Sequence, residues 1–320
     1  MPQTRNTPSI VNHLPPSGWT VTRRDFLKAS ASIIAGIGLN IPVSLPGAGI
    51  ANRLEFGLVT DIHYADTETR GTRYYRESTA KLKECVSLMN RKNVDFLVEL
   101  GDFKDEDRPV SAPLALAYLE AIEKEFARFR GKRFHVLGNH DMDSLSKKQF
   151  LSRVDNSGIS PEASFYSFDA RGVRFIVLDA NFREDGIGYE KGNFHWKDTW
   201  IPGHQMSWLA RELEATPGPA IVFIHQPLDG NGPHSVRNSA DVRDVLEKSR
   251  KVLGVFQGHY HPGRHHRIRG IHYYTLTAMV EGKGPGNSAY AVVEIMENLD
   301  MIVTGFRRAR GRQLERERGK

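Results

Sequence analysis

Apolar residues fall in short runs along the chain, and most of these runs stop on a polar cluster. Residues 54–59 (Leu-Glu-Phe-Gly-Leu-Val) stop at Thr60-Asp61, and residues 94–100 stop at Gly101-Asp102. Both read as strands that end on a carboxylate. Between them, residues 72–91 have helical spacing, with Leu82, Val86 and Met89 on one face, which completes a β-α-β unit. A second helix over about 113–129 leads to a short strand at 134–137, which ends on Gly138-Asn139-His140-Asp141. Residues 164–168 and 173–178 pattern as paired strands around Ala170-Arg171-Gly172, and a helix at 205–214 precedes an apolar strand at 220–224 that ends on His225. Residues 252–256 run into Gln257-Gly258-His259-Tyr260-His261, after which strands at 273–276, 289–295 and 302–306 follow without intervening helices. The chain therefore begins as β-α-β and finishes as a meander, an α/β pattern without internal repeats.

Length and composition fit this pattern. The 320 residues, 39% hydrophobic and 26% charged, can build one large domain with a sizeable core. The net charge of +6 and pI of about 9.3 raise the question of a nucleic-acid partner. The charge, however, sits at the ends. Residues 1–51 hold Arg5, Arg23, Arg24 and Lys28 against Asp25, a balance of +3. Residues 307–320 hold six Arg and one Lys against two Glu, a balance of +5. Taking +3 and +5 from +6 leaves 52–306 at −2, so that body has no general attraction for a polyanion, and no nucleic-acid partner is expected.

The first segment reads as an address. Thr22-Arg23-Arg24-Asp25-Phe26-Leu27-Lys28 precedes a mildly apolar stretch to residue 41, then Pro42, Pro46 and small residues through Ala51. It resembles a twin-arginine export signal, with cleavage fitting near Ala48 or Ala51. The apolar stretch is short and rich in Gly and Ser, so no stable membrane span is expected. The resemblance implies passage through the twin-arginine machinery in a folded, metal-loaded state, to the periplasm or the extracellular space. Cys85 is the single cysteine, which excludes an intramolecular disulfide; it reads as a buried thiol. The expected organisation is a signal at 1–51, a catalytic domain at 52–306 and a basic tail at 307–320. That tail reads as a solvated extension, with an anion- or membrane-binding patch as the other reading.

Five polar clusters follow five apolar strands: Asp61-x-His63, Gly101-Asp102, Gly138-Asn139-His140-Asp141, His225 and Gly258-His259-x-His261. In an α/β sheet such loops converge beyond the carboxyl ends of the strands. Imidazole and carboxylate together suit divalent metals, and a carboxylate can bridge two of them. Two ions about 3.5–4 Å apart can hold a bridging hydroxide and clamp a phosphorus centre during in-line attack. In this order the set resembles the calcineurin-like metallophosphoesterase signature, from residue 54 to about 305. The resemblance implies a four-layer α-β-β-α sandwich with mixed sheets. It also implies one metal on Asp61, His63 and His261, a second on Asn139, His225 and His259, and Asp102 shared between them. His140 would face the substrate rather than bind metal, with Asp141 orienting its ring. Mixed nitrogen and oxygen donors accept manganese, iron or zinc. His135, His195, His204, His234 and His272 read as structural hydrogen-bonders, and His265 and His266 carry no assignment. Asp105 reads equally as a support for the ligands or a solvated loop acid.

The run Asp61-Ile62-His63-Tyr64-Ala65-Asp66, followed by Arg73-Tyr74-Tyr75-Arg76, is similar to the manganese-dependent ADP-ribose/CDP-alcohol pyrophosphatase branch, which typically has glutamine where this chain has His63. Arg73, Tyr74 and Arg76 are then candidate substrate contacts, since guanidinium groups hold phosphate and tyrosine stacks on a base. The same residues also read as the packed and solvated first turn of a helix. The aromatic insertion at 182–204, with Phe194, Trp196 and Trp200, reads either as a lid or as a packed surface loop. The expected activity is a metal-dependent hydrolase of phosphomonoesters, phosphodiesters or nucleotide-type pyrophosphates. The alternatives are a protein phosphatase of the same fold and a noncatalytic metal-dependent scaffold.

Overall fold

Alternate residues along the strands enter two different cores, and this sorting produces the layers. In the computed structural model, which describes residues 53–106, 110–193 and 195–317, the elements begin with β1 (Leu54–Val59), α1 (Ser78–Lys92), β2 (Phe96–Glu99), α2 (Ala112–Phe126), β3 (Lys132–His135) and α3 (Lys147–Leu151). There follow β4 (Tyr166–Ala170), β5 (Val173–Val177), α4 (Gly203–Ala215), β6 (Ala220–Ile224), α5 (Ser239–Ser249) and β7 (Val252–Gln257). The last are β8 (Arg264–Ile268), β9 (Ile271–Thr275), β10 (Ala289–Ile295), β11 (Met301–Arg307) and β12 (Arg312–Leu314). The export signal expected at 1–51 lies outside the described residues.

Two six-stranded mixed sheets, ordered β12-β11-β10-β1-β2-β3 and β4-β5-β6-β7-β9-β8, stack face to face. Leu54, Phe56 and Leu58 of β1, Phe96 and Val98 of β2, and Ile221 and Phe223 of β6 fill the layer between them. On the outer face of the first sheet, Val59 and Leu97 meet Leu82, Val86 and Met89 of α1 and Leu119 and Ile122 of α2. On the outer face of the second, Val222 and Ile224 meet Leu209 and Leu213 of α4 and Val242 and Leu246 of α5. This is the four-layer α-β-β-α sandwich. Phe56 joins the sheets: it stacks on Phe96 at 5.1 Å and meets Phe175, Phe223 and Phe256 edge-on at 5.5, 5.7 and 5.7 Å. Each ring so buried contributes about 1.5–3 kcal/mol.

Three elements depart from the apolar pattern. The expected solvated tail instead turns back, and β12 pairs antiparallel with β11 in the register Met301 to Leu314. Ala309 and Leu314 are buried within it, so two small apolar anchors and a hydrogen-bond ladder outweigh the surrounding arginines, whose charge suits an exposed sheet edge. Helix α5 carries only Val242 and Leu246 as buried apolar side chains, too sparse a stripe to read as a helix. Strand β8, Arg-His-His-Arg-Ile, has no buried residue and is held by pairing with β9 at the sheet edge. Strands β1, β2 and β3 run parallel, as do β5, β6, β7 and β9, so the loops after β1, β2, β3, β6 and β7 carry the five polar clusters.

Candidate metal centre

The ligand loops are locally strained and mutually locked. Asp61, His63, Asp102 and His259 all have positive φ (50°, 47°, 58° and 66°), a conformation costly for residues with a side chain. Neighbouring backbone holds them there. The Asp61 amide donates to Gly101 O at 3.0 Å, the His63 amide to Asp102 O at 2.8 Å, and the Val280 amide to Asp61 O at 3.0 Å. Two glycines make this closeness possible. A Cβ on Gly101 (φ 101°) would lie 2.5 Å from His225 Nδ1, and one on Gly138 would lie 2.1 Å from the Asp102 amide.

Side chains from four of the five loops converge as two groups, while His140, from the loop after β3, brings a ring nitrogen near His63 and Asp102 and near Asp105 and Asp143. Asp61, His63 and His261 bring donor atoms within 4.8 Å of one another, and so do Asp102, His225 and His259. Asp61 Oδ2 accepts from Thr60 Oγ1 at 2.8 Å and the His259 amide at 3.1 Å. Its Oδ1 is left facing His261 Nε2 at 3.3 Å and His63 Nε2 at 3.7 Å. Asp102 divides its oxygens in the same way. Oδ1 accepts the His140 amide at 2.8 Å, while Oδ2 lies 3.2 Å from His225 Nε2 and 3.5 Å from His63 Nε2. One oxygen of Asp102 therefore faces both groups. Asn139 is buried on the loop after β3.

The outward ring nitrogens are fixed by partners. His63 Nδ1 pairs with Asp105 Oδ2 at 2.9 Å, His225 Nδ1 donates to Leu100 O at 2.8 Å, and His261 Nδ1 pairs with Glu281 Oε1 at 2.6 Å. Each pairing turns Nε2 toward the cluster, the usual support for a metal-binding imidazole. Asp105, left open by the sequence, is thus a buried support. Glu281 lies outside every motif and carried no sequence signal.

The fit to metal rests on polar atoms that find nothing to bond. Asp61 Oδ1, Asn139 Oδ1 and the Nε2 atoms of His63, His225 and His259 are buried without a hydrogen-bond partner. Such atoms are costly unless a cation satisfies them. The electrostatics agree. Burial alone would raise the Asp61 carboxyl, yet the nearby imidazoles of His261 and His63 hold it well below its usual value. Burial likewise opposes charge on His225, and Asp102 outweighs it, lifting the imidazole to about 9. Burial, with His225 adding to it, keeps His259 well below the usual value and so neutral. Metal binding at these imidazoles competes with protons.

His140 stands at the mouth of the cluster, with its side chain 30% exposed and its ring 4.8 Å from that of His63. Its Nδ1 faces Asp143 Oδ2 at 3.4 Å and Asp105 Oδ1 at 3.6 Å. Burial works against its charge, but Asp105 and Asp102 raise it well above the ordinary histidine value. The expectation that Asp141 orients this ring is corrected. Its oxygens accept the amides of Phe103 (2.9 Å), Gly138 (2.8 Å), Asp102 (3.1 Å) and Lys104 (3.3 Å). Asp105 and Asp143 take the place facing the ring, while Asp141 clamps the loops after β2 and β3. Burial, reinforced by the Asp102 charge, raises the Asp141 carboxyl to about 6. An Asp141→Asn chain would set an amide NH2 against backbone donors. Chemical denaturation should then show a loss of about 2 kcal/mol; a loss under 0.5 kcal/mol would remove the clamp from the account.

The proposed substrate residues separate. Arg76, expected as a phosphate contact, is engaged by Asp66 at 2.5 Å and Glu68 at 2.6 Å on the exposed surface. Tyr74 caps the turn before α1, and its amide donates to Val280 O at 3.1 Å. Arg73 bridges its backbone to Glu281, beside the cluster. The insertion at 182–204 also reaches the site. Trp196 lies 6.2 Å from the His259 ring and 5.1 Å from His234, with Lys197 Nζ over its face at 5.0 Å. Phe194 lies outside the described residues.

Two stacked mixed sheets with paired carboxylate–imidazole clusters at their strand ends define a two-metal hydrolase of phosphate esters. A profile of the family described as Calcineurin-like phosphoesterase matches residues 54–263, and the chain belongs to that family. Similar proteins include the manganese-dependent ADP-ribose/CDP-alcohol diphosphatases of Oryza sativa subsp. japonica (26% identical, covering 78% of this chain and 90% of that protein) and Xenopus tropicalis (26%, with 78% and 90% covered). A solved dimetal phosphatase from Danio rerio superposes with a TM-score of 0.71 at 22% identity, covering 84% of this chain and all of that one, and supports the fold.

Proposed function

We propose that this chain is a manganese-dependent diphosphatase acting on nucleotide-type diphosphates. The observation that carries the reading is the single Asp102 oxygen facing two groups of unpartnered donors. The diphosphatases similar to it over 78% of its length supply the substrate class and the metal. Asp61, His63 and His261 would hold one ion, Asn139, His225 and His259 the other, and Asp102 both. When bound, the ions would supply Lewis acidity toward a phosphoryl oxygen and toward water.

The remaining work falls to the protein. Cationic His140 would bind the developing phosphoryl charge and donate a proton to the leaving oxygen, restrained through Nδ1 by Asp105 and Asp143. Trp196 offers a flat face beside His259 on which a nucleobase can stack. Arg23-Arg24 and the segment after them support export to the periplasm or beyond.

The test is a substrate panel on the manganese-loaded chain: ADP-ribose, a CDP-alcohol, p-nitrophenyl phosphate, its bis-ester and a phosphopeptide. The reading expects kcat/KM for the two diphosphates to exceed that for the monoester by about tenfold or more, since a diphosphate can form further charge-assisted contacts. Preference for the phosphopeptide or the monoester overturns it.

A further inference from the structure

The arginine-rich segment that the sequence leaves without a role returns to the metal centre. Between β11 and β12 the chain turns over the loop that carries Glu281, and Arg308 donates from Nη1 to Glu281 O at 3.1 Å. Beside it opens a pocket of about 430 Å³, lined by Thr72, His261, Pro262, Glu281, Gly282 and Arg308. His261 belongs to the metal cluster, so the pocket and the cluster share a wall.

The charge of this pocket is set by who is already paired. The Glu281 carboxylate is bound to His261 Nδ1 at 2.6 Å. Among the described residues, no carboxylate lies within ion-pair distance of the Arg308 guanidinium, whereas neighbouring Arg307 is committed to Glu84. Beneath the loop, the buried Lys81 ammonium shares its three N–H donors among four consecutive carbonyls, Met279, Val280, Glu281 and Gly282, at 2.9, 3.0, 3.1 and 2.7 Å. Lys81 and Arg308 share the Glu281 oxygen, so a second cation lies behind the Glu281-Gly282 wall of the pocket. A guanidinium with no carboxylate partner at the rim, an ammonium behind the wall and a metal ligand in the wall together suit an anion adjacent to the metals.

We propose that this pocket is a subsite for the second phosphoryl group of a nucleoside diphosphate, the one not under attack, held by Arg308 while its neighbour lies at the metal cluster. The proposal rests on the diphosphatase reading. It makes the basic tail a specificity element that separates diphosphates from monoesters.

AMP and α,β-methylene-ADP differ by one phosphoryl group and a methylene, and their affinities for the manganese-loaded full chain can be measured by calorimetry without turnover. The wild type should bind α,β-methylene-ADP more tightly than AMP. In Arg308→Gln that margin should shrink about tenfold, the size of a charge-assisted contact, and Arg308→Lys should restore part of it. Arg269→Gln, which removes an exposed arginine paired to Glu247, serves as the control and should keep the margin. An equal margin in the wild type and Arg308→Gln, or no margin in the wild type, overturns the subsite. The substrate panel separates the two failures. If diphosphates are cleaved and the Arg308→Gln margin persists, the subsite alone is wrong; if the wild type prefers monoesters, the diphosphatase reading itself is wrong.

Discussion

Asp102→Asn should lower kcat/KM on the order of a thousandfold, comparable to or beyond the loss of one preorganised electrostatic group. Asp102 Oδ1 is already occupied by the His140 amide, and Oδ2 is the oxygen that faces both His63 and His225. An asparagine that keeps its oxygen on the His140 amide must present an NH2 group to the metal sites, which need a lone pair there. Turned the other way, it sets NH2 against an N–H donor. Neither orientation works, so the variant should lose bound metal together with turnover. Steady-state rates and elemental analysis of the same sample check this. Turnover within tenfold of the wild type, at full metal content, would contradict the shared role of Asp102.

His140→Gln has the second largest expected effect, a fall of about 10²- to 10⁴-fold for substrates with poor leaving groups. The loss should be smaller for p-nitrophenyl phosphate, whose leaving oxygen needs little protonation. The pH profile supplies the sign. The pKa of His140 is raised well above the ordinary value despite burial, because Asp105 and Asp102 face it. Its working form is the cation, so activity should persist through neutral pH and fall as pH rises past the raised value. In His140→Gln the part of that alkaline limb due to His140 should vanish. Equal losses for both leaving groups, with the limb unchanged, would assign His140 to positioning alone.

The strand-end clusters were legible because each combines a strong signal, an apolar run, with polar residues that have no reason to follow it unless they do chemistry. Asp61, His63, Asp102, His225, His259 and His261 all come together as that pattern implies. What stayed hidden depends on contacts between distant segments. Glu281 supports His261 from a loop without a motif, and Lys81 holds that loop from α1, some 200 positions away in the chain. The roles of Asp141 and Asp105 were misread or left open for a related reason. A carboxylate beside a histidine in sequence need not face its ring, and here the backbone turn gives Asp141 to amides while Asp105 enters from the loop after β2. Strand β12 and helix α5 were invisible because their few apolar anchors are embedded in charge, and only pairing with β11 and packing on β6 and β7 give them form.

The central claim is that two ions share Asp102. It is tested most directly by anomalous scattering at the manganese edge from crystals of the manganese-loaded protein. The account predicts two peaks, both at coordination distance from Asp102 Oδ2. One should be bound by Asp61, His63 and His261, the other by Asn139, His225 and His259. A single peak, or a second one among Asp105, His140 and Asp143, would contradict it.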